Sequence, residues 1–428
     1  MSMLKDKLAA QIPGIRADLK ELGKNYGDVK ISDVSVAQAY GGMRGVKGMI
    51  CDTSVVEPDK GLIIRGIPIL EIKDKLPEEI FWLLITGELP SEAELKSLQD
   101  EFRAAGKVPD YVWKVLEAMP KDSHPMTMLD TAILVMQAES KFAARYHEMA
   151  KTDYWEAALE DAIAILGTIP VVAAGMYRMR YDKGARIEPN PDLDWAANYV
   201  HMLGLEETPD CYDMMRLYLT LHTDHEGGNV SANTCHTVGS ALSDPYYSVS
   251  AGLNGLAGPL HGLANQECLG FVIKLRDQFG GVMSEEELTK ACWDLLNAGQ
   301  VVPGYGHAVL RVPDPRFVAF HGFGKEHCAD DDIYKIVDLL YQVAPKVLKE
   351  HGKAKNPWPN VDAGSGALLY HYGLTEFPYY TVLFSVSRAM GMLSQLVINR
   401  AIGTSITRPK SVSTEWIKKT VGATAAAG

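Results

Sequence analysis

"SEAELKSLQDEFRAAG", residues 91–106, decides the fold class. Ser91 and Glu94 have the spacing of a capping box, in which each side chain takes a backbone N–H that the first helical turn would otherwise leave free. Leu95, Leu98 and Phe102 then recur on one face, and Gly106 stops the run. "SEEELTKACWDLLNAG" (284–299) repeats the plan with Ser284 and Glu287, then Leu288, Cys292 and Leu295, ending at Gly299. "CYDMMRLYLTLHTDHEGG" (211–228) sets Met215, Tyr218, His222 and His225 at helical spacing before a Gly-Gly stop, and residues 381–401 repeat apolar positions through Leu383, Val386, Met390, Leu393 and Val397. Only "VKGMICDTSVVEPDKGLIIRGIPI" (46–69) reads as β, turning at Pro58-Asp59-Lys60-Gly61. Strands never alternate with helices as a parallel sheet requires, so the pattern predicts an all-α protein with one minor β-hairpin near residues 47–69.

The 428 residues suffice for more than one domain and a large core. Glycine and proline cluster at 255–262 and 356–366, the best hinges for an inserted helical unit. Low complexity is confined to the "ATAAAG" tail, and no solenoid period is apparent. No window holds an uninterrupted apolar run of roughly 18 residues, so no transmembrane helix is expected. The amphipathic start "MSMLKDKLAAQIPGI" lacks the apolar core and cleavage site of a secretory signal. The six scattered cysteines fit reduced thiols. A bacterial cytoplasm is the expected location, with a mitochondrial matrix after presequence removal as the alternative. The net charge of −12 disfavours nucleic acid and anionic membranes. If the ligand is an anion, arginines must converge locally against that global field.

Several segments place ionisable residues among glycines and prolines. In "QVVPGYGHAVLRVPDPR" (300–316), Gly304 and Gly306 bend the chain and present His307, with Arg311 and Arg316 close behind. His261, in "GPLHG", precedes an apolar helix, where a helix dipole would favour the neutral imidazole that can donate to an oxyanion; by itself it reads first as a helix-entry packing residue. Asp362, in "NPWPNVDAGSG", is either an N-cap carboxylate of low pKa or, if desolvated, a base. Arg388, one turn from Phe384 and Met392, would be costly without a partner. Arg316 and Arg408 could each pair with a protein carboxylate. His222 and His225 stand three apart, and Cys235-His236 could add zinc ligands, but the spacing matches no helix-borne zinc signature.

Together "YGGMRG" (40–45), "TDHEGGNVSA" (223–232), "GLAGPLHGLANQE" (255–267), "VVPGYGHAVLRVPDPR" (301–316), "GKAKNPWPNVDA" (352–363), "YYTVLFSVSRA" (379–389) and "RPKS" (408–411) resemble the citrate synthases of the mitochondrial-type branch. The match runs from the first helix to about residue 413 and is densest after 213. The resemblance implies a homodimer whose subunits have a large helical domain (1–262 and 371–428) and a small one (263–370), with the active site between them. It implies condensation of acetyl-CoA with oxaloacetate and hydrolysis of citryl-CoA, with 2-methylcitrate synthesis from propionyl-CoA as the alternative. No metal or tightly bound cofactor is expected; coenzyme A enters as a thioester co-substrate. Residue by residue, His261 is expected to stabilise the enol of acetyl-CoA, Asp362 to remove the methyl proton and His307 to protonate the oxaloacetate carbonyl. His225, Arg316 and Arg388 are expected to bind oxaloacetate, with Arg408 reaching the partner subunit's site. Arg44, Arg311 and Lys151 are expected near the coenzyme A phosphates. Two carboxylates on oxaloacetate explain a cluster of planar guanidinium forks. The chain departs from the family pattern at Asn233 and Cys235, where His and Ser are expected, at Gly364, where His is expected, and at Lys151, which replaces an arginine.

Overall fold

The structure, a computed structural model, describes residues 2–422; the "ATAAAG" tail lies outside them. The described residues contain nineteen α-helices, four 3-10 helices and three short strands. The capping boxes form as the spacing requires. Ser91 N–H donates to Glu94 Oε2 at 2.8 Å at the head of Glu92–Ala105, and Ser284 N–H donates to Glu287 Oε2 at 2.9 Å at the head of Glu285–Asn297. Leu98 and Phe102 are buried against the helix Tyr154–Arg180, where Gly167 admits close approach: a Cβ there would lie 2.6 Å from the Phe102 carbonyl oxygen.

Two helices, Tyr154–Arg180 and Tyr380–Ile402, pack on each other and centre the core. Extended to Lys151–Arg180 and Phe377–Ile402, both are long and apolar enough to cross a membrane, yet 78% and 89% of their most apolar windows are buried inside the protein. They are core helices, whose all-round apolar surface is covered by neighbours. Pro170 interrupts the first and frees the Leu166 carbonyl, which accepts from the Trp195 indole N–H at 2.8 Å.

The β region is smaller and more folded than expected. Strands Ser54–Glu57, Gly61–Ile64 and Ile67–Pro68 form an antiparallel three-stranded meander instead of one hairpin over 47–69. Arg65 and Gly66 both take positive φ, 48° and 83°, and so make the second tight turn. A second correction concerns the histidines. The helix predicted to carry both His222 and His225 is Pro209–Leu221; it ends before either residue, and His225 lies in an irregular loop.

The helices Ala264–Phe279, Glu285–Asn297, Pro315–His327, Asp332–His351 and Asp362–His371 pack on one another. The chain enters this group through Gly262, where a Cβ would lie 2.2 Å from the Leu256 carbonyl oxygen, and the Gly262 carbonyl accepts from Thr381 Oγ1 at 3.2 Å. The segment ahead of the group is thereby tied to the core helix Tyr380–Ile402.

Candidate active site

The loop after Leu221 crosses the core helix where that helix carries Arg388 and Gly391. Gly391 N–H donates to the Thr223 carbonyl at 3.1 Å, and a Cβ at 391 would lie 2.4 Å from that oxygen, so only glycine lets the loop lie there. Asp224 is fully buried and accepts from Thr53 Oγ1, Ser54 Oγ and Gln395 Nε2 at 2.5, 2.8 and 2.8 Å. It thus pins the start of the β-meander and the core helix to the loop presenting His225. The His225 ring meets the His307 ring edge-on at 5.9 Å between centroids, and its Nε2 is a buried atom without a protein hydrogen-bond partner.

His222 is spent on structure. Its Nδ1 bonds the Tyr218 carbonyl at 2.8 Å, and its ring stacks on Tyr218 at 4.3 Å. Burial, with Arg316 second, pushes its pKa down to about 3. His222 and His225 therefore diverge, and no group of three or more His, Cys, Asp or Glu with metal-site geometry occurs among the described residues.

The segments carrying His307 and Asp362 brace each other. Gly306 N–H donates to the Trp358 carbonyl at 3.0 Å, Asn360 N–H to the Gly304 carbonyl at 2.9 Å, and Asn360 Nδ2 to the Gly306 carbonyl at 3.1 Å. Gly304 has φ 81°, and a Cβ there would lie 2.7 Å from Cys268 Sγ, so this bend needs glycine twice over. Both Val309 and Leu310 donate their N–H groups to His307 Nδ1 at 3.0 Å. Nδ1 is the acceptor, so the ring proton sits on Nε2. Asp314 caps the helix Pro315–His327 and grips Arg316 with two oxygens, Nε to Oδ1 at 3.1 Å and Nη2 to Oδ2 at 2.7 Å.

His261 shows the opposite tautomer. Ser231, in the first turn of Val230–Ser240, directs its backbone N–H at His261 Nε2 at 3.3 Å, and its hydroxyl lies 2.9 Å from the same atom. Helix geometry fixes the direction of that N–H, so Nε2 accepts and the proton sits on Nδ1. Neutrality arises here from burial, then Arg388, which together push the pKa down to about 4. The helix dipole expected from sequence is not the main cause.

The electrostatics follow from desolvation. Arg388 is 2% exposed and lies over Phe384 at 4.7 Å. Its Nε donates to the His222 carbonyl at 3.1 Å, and no carboxylate lies in ion-pair range among the described residues. Burial pushes its pKa down to about 10. Arg316 at 4% exposure is paired with Asp314, as it could be from the sequence, yet still acts on its neighbours. Burial and then Arg316 depress both His225 and His307. Asp362 opens the helix Asp362–His371. It is not an N-cap of low pKa: Val361 holds the N-cap position, and Asp362, the first helical residue, donates its N–H to Asn360 Oδ1 at 3.0 Å. No hydrogen-bond donor reaches the Asp362 carboxylate among the described residues, and burial, opposed by Arg316, pushes its pKa up to about 6.

Other expected residues lie outside this cluster. Arg44, Arg311, Lys151 and Arg408 are exposed. Arg311 folds back on its own loop, Nη1 donating to the Val309 and Leu310 carbonyls at 2.8 and 2.6 Å, and its charge helps to depress His307. Arg44 follows the short helix Val36–Tyr40, and Lys151 opens the 3-10 turn before Tyr154; neither bonds to the buried set. Of the departures, Asn233 is exposed and Cys235 buried, whereas a Cβ at Gly364 would lie 3.3 Å from the Phe317 ring, which would have to give way. Sequence reasoning missed Ser231, Asp224 and Asn360 as supports. Their proximity to His261, His225 and Asp362 in the quoted motifs or across the fold was the only available signal.

Residues 42–410 match the family described as citrate synthase, C-terminal domain. The mitochondrial citrate synthase of Saccharomyces cerevisiae is 49% identical over 98% of this chain and 89% of its own length. A mitochondrial 2-methylcitrate synthase of Yarrowia lipolytica is 46% identical over 98% of this chain and 93% of its own. Among solved structures, the citrate synthase of Pyrobaculum aerophilum matches with a TM-score of 0.77 at 27% identity, covering 87% of this chain and 92% of that one. The expectation of a bacterial cytoplasm is overturned by relatives that are mitochondrial citrate synthases of eukaryotes. It rested on the absence of a recognisable leader, and an absence carries no address.

Proposed function

Because the chain belongs to the citrate synthase family, we propose that it condenses acetyl-CoA with oxaloacetate and hydrolyses the citryl thioester to citrate and coenzyme A. One observation carries the assignment of roles: two neutral imidazoles with their protons on opposite ring nitrogens, together with a desolvated carboxylate. A thioester methyl group is a very weak acid, so a base needs an oxyanion donor beside it. Asp362 takes the methyl proton while His261 Nδ1–H donates to the thioester oxygen. The resulting enol carbon attacks the ketone of oxaloacetate, and His307 Nε2–H supplies the proton to the ketone oxygen. Water then cleaves the citryl thioester, releasing the thiol. His225, Arg316 and Arg388 hold the two carboxylates of oxaloacetate; the buried guanidinium of Arg388, with no carboxylate in ion-pair range among the described residues, suits one of them.

Residues 263–370 form the small domain, a reading supported by the mutual packing of their helices and by the close approach at Gly262. His307, Arg316 and Asp362 belong to it, while His225, His261 and Arg388 belong to the rest of the chain, so closure assembles the two halves and excludes water. The active unit is a homodimer in which exposed Arg408 enters the partner subunit's site. Arg44, Arg311 and Lys151 serve the coenzyme A phosphates. No cofactor is needed beyond the thioester itself.

Thiol release measured with each substrate alone and with both tests the reaction. Release is expected only when acetyl-CoA and oxaloacetate are present together. One methyl group is worth about 1–3 kcal/mol in an apolar pocket, so kcat/KM for propionyl-CoA is expected to fall below that for acetyl-CoA. Equal or faster turnover of propionyl-CoA would transfer the assignment to 2-methylcitrate synthesis.

A further inference from the structure

The Cys235-His236 pair in the sequence "NTCH" (233–236) finds no use in the chemistry above, but His236 has a specific place. The core helix ends at Gly403, whose φ of 72° turns the chain back towards the helix Val230–Ser240. Asn399 steers this turn: its carbonyl accepts from the N–H groups of Gly403 and Thr404 at 3.0 and 3.1 Å, and its Nδ2 lies 2.7 Å from His236 Nδ1. With Nδ1 accepting, the His236 proton sits on Nε2, which lies 3.0 Å from Thr407 Oγ1. Thr407 N–H in turn donates to Ser240 Oγ at 2.9 Å. The segment after the core helix is thus fastened at its last residue before Arg408, and Arg408 itself is exposed.

We infer that His236 is a positioning residue: it latches Thr407 so that Arg408 leaves the subunit in the orientation needed to meet oxaloacetate in the partner subunit's site. The inference rests on the cross-subunit reading of Arg408. It also gives the helix Val230–Ser240 two tasks, since Ser231 at its start fixes the tautomer of His261 in its own subunit. An exposed arginine on a free segment would lose conformational entropy on binding. The latch removes part of that cost before the substrate arrives.

The two ring nitrogens can be tested separately. Gln at 236 can place its amide nitrogen near the position of Nε2 and keep the donor to Thr407, whereas Asn reaches only the position of Nδ1. Thr407→Val removes the acceptor at constant shape. Steady-state kinetics of the full-length dimer should show KM for oxaloacetate raised about fivefold in Thr407→Val and His236→Asn, the effect of one lost neutral hydrogen bond. KM for acetyl-CoA should be unchanged, and His236→Gln should stay near wild type. In an Arg408→Ala background, Thr407→Val should add nothing, since the latch acts only through that arginine. An unchanged thermal midpoint for Thr407→Val excludes general loosening as the cause. If Arg408→Ala raises KM for oxaloacetate while Thr407→Val and His236→Asn do not, the latch is refuted and the role of Arg408 stands. If Arg408→Ala itself leaves KM unchanged, the reading beneath the latch fails and the inference falls with it.

Discussion

The two ends of the site are built differently. At the end proposed to bind oxaloacetate, Arg388 and Arg316 are 2% and 4% exposed, and their neighbours His225 and His307 are held by a buried aspartate and by two backbone N–H groups. At the end proposed to meet coenzyme A, Arg44, Arg311 and Lys151 are exposed, and Arg311 rests on carbonyls of its own loop. Apart from Arg408, which is exposed and proposed to come from the partner subunit, the groups of the first end are held by contacts within one folded chain, and its two buried arginines bear their desolvation cost there. The second keeps its charges in water and gains from a ligand only what screened attraction supplies. The difference teaches where catalysis and where affinity reside. On the proposed roles, groups that act on reacting atoms are half-buried and held by the fold, whereas groups that hold a long, flexible carrier stay exposed.

If this contrast is right, the largest effect follows from removing the base. Asp362→Asn keeps the shape and removes the proton acceptor, so kcat should fall by about 10³-fold or more. The same change should stabilise the protein. A carboxyl whose pKa is raised on folding costs stability at neutral pH. That cost is absent below the unfolded value near 4 and grows as pH rises through about 6. Removing it should add about 1–3 kcal/mol to the unfolding free energy at pH 8, and the gain should vanish near pH 4. Denaturant titrations at the two pH values check this. An Asn variant that is inactive but less stable would mean that Asp362 is a structural residue.

Next in size is the pH profile. Asp362 must be ionised to accept a proton, so kcat/KM should fall as pH drops through about 6. His261 stays neutral down to about 4, and burial keeps His307 below its ordinary range, so neither imidazole should impose a limb of its own near neutrality. A single acidic limb, abolished along with residual activity in Asp362→Asn, is the expected result. An additional limb near 7 would mean that one imidazole titrates freely, contrary to the burial that depresses both.

The contrast also explains what was legible beforehand. Capping boxes and apolar spacing located the helices, because those signals are local and the residues that make them also end or begin the element. The cost of burying Arg388 inside an apolar run was equally readable from its neighbours in sequence. The failures involve contacts and directions that exist only in the folded chain, some between distant segments and some between near neighbours. His225 leaves the helix because Gly391, more than 160 residues away in sequence, opens a crossing for the loop. Asp362 was open to reading as a low-pKa cap because nothing in the sequence says that Val361 takes the N-cap position and that the carboxylate is left without a donor. The two tautomers depend on backbone N–H groups of Ser231, Val309 and Leu310, whose directions exist only in the folded chain. The long apolar helices show the converse: composition would pass them as membrane spans, and only their packing identifies them as core.

The smallest effects belong to the exposed end, and they test the contrast from the other side. Arg44→Ala, Arg311→Ala and Lys151→Ala should each raise KM for acetyl-CoA by about two- to fivefold, the range of a single exposed ion pair. kcat and KM for oxaloacetate should be nearly unchanged. Added salt should raise KM for acetyl-CoA more than KM for oxaloacetate, because only exposed charges are strongly screened. Lys151→Arg should lower KM for acetyl-CoA slightly, since a planar fork can meet a phosphate with two bonds where an ammonium makes a point contact. Arg311 carries a further expectation. Its charge helps to depress His307, so Arg311→Ala should move the His307 pKa upward, towards the ordinary range, without reaching it, because burial and Arg316 remain. Titration of the His307 ring resonances in the variant would measure that shift. If instead an exposed cation proved as costly to remove as Asp362, binding and chemistry would not be divided between the two ends, and the loose end would have to be counted among the catalytic groups.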